Sequence, residues 1–119
     1  MNYEKEYETV TNNVSTFKAE VGSYTFEVLE EPIETEYVDD EGNKTPQIKM
    51  LIKVKDRKYN FFISKGSTTE SLYGQLIVIG RHYGGLKGRL IQMFVKQGKD
   101  RKSYTLPDAL NLMQQEQTL

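Results

Sequence analysis

Residues 47–55, QIKMLIKVK, place an apolar side chain at every second position without a break. A helix would scatter Ile48, Met50, Ile52 and Val54 around its circumference, whereas a strand gathers all four on one side. The opposite side then carries Lys49, Leu51, Lys53 and Lys55. A short turn at Asp56-Arg57 leads into KYNFFIS (residues 58–64), which alternates again: Tyr59, Phe61 and Ile63 inward, Asn60, Phe62 and Ser64 outward. These two segments read as a β-hairpin with one buried and one solvated face.

The remaining elements are read around that hairpin. In YTFEVLE, Tyr24, Phe26 and Val28 share a face, giving a first strand within residues 17–29, with Gly22 as a bulge or bend. Pro32 allows only an edge or a break, past which ETEYV (residues 34–38) extends the strand before the turn DDEGNKTP. After the hairpin, Ser67-Thr68-Thr69-Glu70 reads as a capping box with Ser67 at N-cap. Leu72, Leu76, Ile79 and Tyr83 then form an apolar stripe, and Gly84-Gly85 stops the helix. RLIQMFVKQ puts Ile91, Met93 and Val95 inward, a turn at Gly98-Lys99-Asp100 follows, and KSYTL (residues 102–106) makes a fifth short strand. Pro107 opens a C-terminal helix whose Ala109, Leu110 and Met113 are its docking residues.

Charge is sorted along the chain. Residues 1–43 hold twelve acids against Lys5 and Lys18, while residues 44–102 hold fourteen bases against Asp56, Glu70 and Asp100, so a net charge of −1 conceals an acidic front and a basic remainder. A basic block of that size is a footprint for a polyanion. The plain alternative is that the acidic third folds against the basic part and neutralises it. The 119 residues suit one domain, divided here into a loosely held acidic arm (1–14), a β domain (15–106) and a terminal helix or tail (107–119). No apolar run approaches a membrane span and no basic-then-apolar leader opens the chain. Cysteine is absent, which removes disulfides, thiolate zinc sites and a Cys nucleophile, and makes a cytoplasmic setting the expectation.

Catalytic constellations are missing. His82 stands alone near a helix end, Ser67 and Ser71 have no neighbouring base, and Asp39-Asp40-Glu41 lacks the ligand spacing of a calcium loop. The glycines at 80, 84, 85 and 88 do not spell a phosphate-binding motif. The expectation is a non-enzyme with neither metal nor cofactor.

Strand, strand, strand, helix, strand, strand is the element order of an OB-fold: a mainly β, five-stranded, partly open barrel with one capping helix between strands three and four, here followed by a short C-terminal helix. The segments YTFEVLEEPIETEYVDDEG, QIKMLIKVKDRKYNFFISKGSTTESLYGQL and LKGRLIQMFVKQGKDRKSYTL resemble small archaeal, viral and phage OB-fold proteins related to single-stranded DNA-binding proteins. The resemblance covers about three-quarters of the chain. It implies a barrel that binds single strands without strong sequence preference. The acidic front and the absence of tryptophan depart from that pattern.

The outward hairpin face is the candidate site. Lys49, Lys53 and Lys55 share one side of a strand on which positions repeat about every 6.6–6.8 Å per two residues, on the scale of phosphate spacing in an extended single strand. Arg57 and Lys58 extend the track, with Arg89 and Lys96 at its flank. Lysines alone fit a solvated sheet face equally well. Phe62 among them supplies a ring for base stacking, unless the C-terminal helix or the arm covers it, or a one-residue slip exchanges it for Tyr59 and Phe61. The expected partner is single-stranded DNA or RNA. The alternative is an interaction module whose partner is a second copy or another protein.

Overall fold

A computed structural model describes residues 1–5 and 14–117. The molecule is mainly β. In chain order the described residues include six strands, β1 (Gly22–Val28), β2 (Ile33–Val38), β3 (Lys44–Val54), β4 (Arg57–Ser64), β5 (Leu90–Gln97) and β6 (Lys102–Thr105), with helix α1 (Leu72–Tyr83) between β4 and β5 and helix α2 (Pro107–Gln117) after β6; residues 3–5 are also helical. All six strands belong to one antiparallel sheet, in the order β2-β3-β1-β5-β6 with β4 on the second edge of β3.

β3 organises this sheet. One of its edges takes β4 along residues 47–54, while the other is shared, β2 pairing with 44–49 and β1 with 52–53. Val28 stands opposite Ile52 and Ile33 opposite Lys49, so five steps on one side match three on the other. Two extra residues around Pro32 are thus looped out between β1 and β2. They divide what alternation alone reads as one interrupted strand into two. The connector is held from across the fold: the Glu31 carboxylate accepts the backbone N–H of Leu86 and, at 2.8 Å, that of Lys87.

Alternation decides the faces as expected. Phe26, Val28, Met50, Ile52, Ile91, Met93 and Leu106 are buried, with Phe61 and Ile63 beside them. Phe17, just ahead of β1, adds a half-buried ring to this core, meeting Tyr24, Tyr59 and Phe61 edge-on at centroid distances of 5.3, 5.4 and 5.2 Å. β2 stands off the core, only its Thr35 being more than lightly covered.

The β3–β4 hairpin turns one residue earlier than the sequence reading, at Lys55-Asp56, both with positive φ (49° and 66°). A two-residue loop with both residues left-handed matches the strand twist, but each non-glycine residue there is strained. Asp56→Gly is expected to raise stability by about 1 kcal/mol, read as a higher urea midpoint at unchanged slope. The ion pair it removes, Lys53 Nζ to Asp56 at 4.0 Å, is solvent-exposed and contributes little.

Helix α1 starts later than the sequence implies. Its N-cap is Ser71, not Ser67: the Ser71 hydroxyl accepts the Gly74 N–H at 3.0 Å and donates to Thr68 O at 2.8 Å. The 66–71 turn folds so closely over the first helical turn that a Cβ at position 74 would lie 2.0 Å from Thr68 O, hence the glycine. Gly84 ends the helix in the left-handed conformation, φ 77°. Of the expected stripe, Leu76 and Ile79 are buried and Leu72 is partly covered, whereas Tyr83 is exposed because α1 rolls Gln75 toward the core instead. In α2, Ala109 and Leu112 are the buried pair, with Met113 partly covered and Leu110 exposed.

The sheet does not close on itself, since β4 pairs only with β3 and β6 only with β5. Between the two lies a seam. At one end, Asn60 of β4 exchanges backbone hydrogen bonds with Ser15 and Phe17, and the Lys102 amine reaches Ala19 O at 3.0 Å. At the other end sits Gln75, whose amide donates to Tyr104 O (2.8 Å) and Glu70 O (3.1 Å) while its oxygen accepts the Leu106 N–H at 2.7 Å.

Candidate nucleic-acid interface

Residues paired across an antiparallel ladder share a face, so the β3–β4 register builds the outer surface row by row. Lys49 faces Phe62, Leu51 faces Asn60, and Lys53 faces Lys58. Cross-strand neighbours lie roughly 4.5–5.5 Å apart and successive rows about 6.6–6.8 Å. β2 adds Ile33 beside Lys49, and β1 adds Glu27 beside Lys53. One row therefore reads Ile33-Lys49-Phe62, a lysine between two exposed apolar side chains, Ile33 at 58% and Phe62 at 39% exposure. Sequence reasoning missed Ile33, because the two-residue loop at Pro32 hides which face it joins.

Directly opposed lysines weaken a sheet. Lys53 and Lys58 form such a pair, with Glu27 alongside, the Asp56 carboxylate 4.0 Å from Lys53, and Glu30 and Glu31 on the border of the cleft that Lys58 lines. A shallow cleft of about 320 Å³ runs over this face, bordered by Lys49, Lys58, Asn60, Ile33, Glu30 and Val14.

Four of the eight residues expected to meet nucleic acid are brought together here: Lys49, Lys53, Lys58 and Phe62. Lys55 is displaced to the hairpin tip, where positive φ takes it out of the strand alternation. Arg57 has the parity of the opposite face, and its guanidinium lies 5.8 Å from the Tyr59 ring. Arg89 is occupied elsewhere, stacked 3.6 Å from the Tyr83 ring at the end of α1. Lys96 points outward on β5 beside Phe94 but lies six residues along the strand from Leu90, which pairs with Glu27. That puts it about 20 Å from the lysine row.

Among the described residues the acidic front meets the patch along one side, with Glu27 beside Lys53 and Glu30 and Glu31 bordering the cleft. Ion pairs between described residues include Lys53–Asp56 and Lys65–Glu34, the latter holding β2 to the end of β4. Glu6 and Glu8 lie outside the described residues. The hydrogen bond from Lys65, and then its charge, holds the Glu34 carboxyl below its ordinary value, and the same contact raises Lys65. At the hairpin tip, backbone donors led by Asn43 lower Asp39. Both carboxylates stabilise the β2–β3 hairpin in full above their unfolded values near 4.5 and 3.8, and that contribution disappears as pH falls through the lower folded values. The thermal midpoint should therefore be flat from pH 7 to 5 and decline below about 4, and Asp39→Ala should flatten that decline.

Among the described residues no three metal-ligating side chains come together, and no helix is long and apolar enough to cross a membrane. His82 is an exposed residue whose ring meets Tyr83 edge-on at 4.6 Å. No family model matches the chain, and no curated protein or solved structure is similar enough to it to count as a match.

Proposed function

We propose that this chain is a non-enzymatic, OB-fold-like module that binds single-stranded nucleic acid, DNA in the first instance, across the outer face of β3 and β4. The strand connectivity supports the OB-like assignment: β1 and β2 act as one bent strand shared by β3 and β5, with a helix between β4 and β5. The observation that carries the functional reading is the exposed Phe62 ring beside Lys49, two rows from the opposed Lys53 and Lys58. Phosphates would meet the lysines and a base would stack on the ring. The binding is sequence-tolerant because every base presents a π-face.

Fluorescence anisotropy with a labelled oligo-dT tests this. Three phosphate contacts (Lys49, Lys53 and Lys58) give a log–log salt slope near −2.1, so raising salt from 50 to 200 mM should weaken binding roughly 20-fold. No binding at 50 mM salt overturns the reading. The alternative, a protein-interaction module, draws on the exposed Ile33, Tyr37 and Val38 of β2. Light scattering with and without oligonucleotide separates the two: a constant self-assembly indifferent to dT would favour the alternative.

A further inference from the structure

The seam between β4 and β6 has a chemistry that the lysine face does not use. Asn60 donates its N–H to Ser15 O at 2.9 Å and accepts that of Phe17 at 2.8 Å. Backbone groups of even-numbered β4 residues therefore point away from β3, and those of Phe62 and Ser64 turn into the seam. On β6, the Gly98 N–H bonds Arg101 O at 2.9 Å, so odd-numbered residues address β5 and even-numbered ones face the seam. Tyr104 O and Leu106 N–H are already taken by Gln75, whose side-chain amide donates and accepts as one peptide group of a neighbouring strand would.

Each edge is thus partnered at one end, β4 by residues 15–17 and β6 by a side-chain amide. Between those ends the Phe62 and Ser64 edge opens on a cavity of about 690 Å³ that also meets Lys102 and Tyr104. Phe61, Ile63 and Leu72 give it an apolar wall, and Arg101 and Lys102 outnumber Glu70 as charges around it, Lys65 being paired with Glu34. Two facing strand edges with free donors and acceptors about 6.6–6.8 Å apart match an extended peptide. A polynucleotide has no such ladder of alternating N–H and C=O groups.

We propose that this seam is a β-addition site: a short, extended, acidic peptide segment of a partner protein inserts beside Phe62 and Ser64 of β4, its backbone completing the edge and its carboxylates meeting Arg101 and Lys102. The site spans only the last four residues of β4, about 13 Å, so the inserted stretch is three to four residues long. This does not depend on nucleic-acid binding.

The probe is a fluorescein-labelled, end-blocked peptide of alternating glutamate and valine, titrated into the full chain. Saturable binding is expected. N-methylation of alternate backbone amides should weaken it at least tenfold while leaving charge intact, as should Arg101→Glu, a substitution at an exposed residue. Hydrogen exchange of the Phe62 and Ser64 amides should slow at least tenfold on peptide addition. Equal binding by the N-methylated peptide, equal binding by an alternating lysine–valine peptide, or unchanged exchange at Phe62 and Ser64 each overturns the proposal. So does a peptide-free dimer in which those same amides are already protected, which would assign the seam to a second copy.

Discussion

Phe62→Ala should weaken oligo-dT binding by roughly 5- to 150-fold, the range that one aromatic–base stack of about 1–3 kcal/mol corresponds to, with the thermal midpoint nearly unchanged. The ring is 39% exposed and points away from the core, so its removal leaves no internal void. The adjacent Phe61 is the control with the opposite outcome. It is 6% exposed and packs on Phe17 and Phe26, and Phe61→Ala should cost about 3–5 kcal/mol of stability. Lys53→Ala completes the set. It removes one phosphate contact, lowering the salt slope by about 0.7, yet relieves the opposition to Lys58, so stability should hold or rise. Wild-type affinity in Phe62→Ala would remove base stacking from the account, and with it the reason to prefer nucleic acid over a solvated lysine face.

Gln75→Leu should destabilise the fold by about 2–6 kcal/mol, the cost of orphaning two buried backbone groups at about 1–3 kcal/mol each. Gln75 is 3% exposed and is the partner of both Tyr104 O and Leu106 N–H. Leucine fills a similar volume, so packing is largely kept and the loss reads out the hydrogen bonds. Against a total stability of about 5–15 kcal/mol, the thermal midpoint should fall by roughly 10–20 °C, measurable by calorimetry. A drop of only a degree or two would mean that water replaces the amide at the β6 edge. Gln75→Leu leaves the β3–β4 face untouched, so any chain that folds at low temperature should still bind oligo-dT.

Much of the site was legible because side-chain direction in a strand follows from position alone. Lys49, Lys53 and Phe62 fall on the outer face by counting, and the structure places them there in one patch. The failures are of a different kind. Arg57 and Lys55 depended on where the hairpin turned, and a shift of one residue moved both out of the lysine row. Arg89 and Lys96 were joined to the patch on charge, although one is stacked on Tyr83 and the other lies far along β5. Ser67 satisfied the capping pattern as well as Ser71 does, and only the 66–71 turn packing onto Gly74 selects between them.

The amino-acid sequence alone determines which side of each strand is apolar, where the chain must turn, and that acid and base are segregated, since these rest on local periodicity and residue type. Tertiary structure alone decided that two residues loop out at Pro32 and bring Ile33 beside Lys49, that Gln75 serves the edge of β6, and that β4 and β6 face one another unpaired. Each of these depends on groups distant along the chain meeting in space. Pairing partners and strand edges carry no local signature, because any strand's backbone offers the same donors and acceptors to any other.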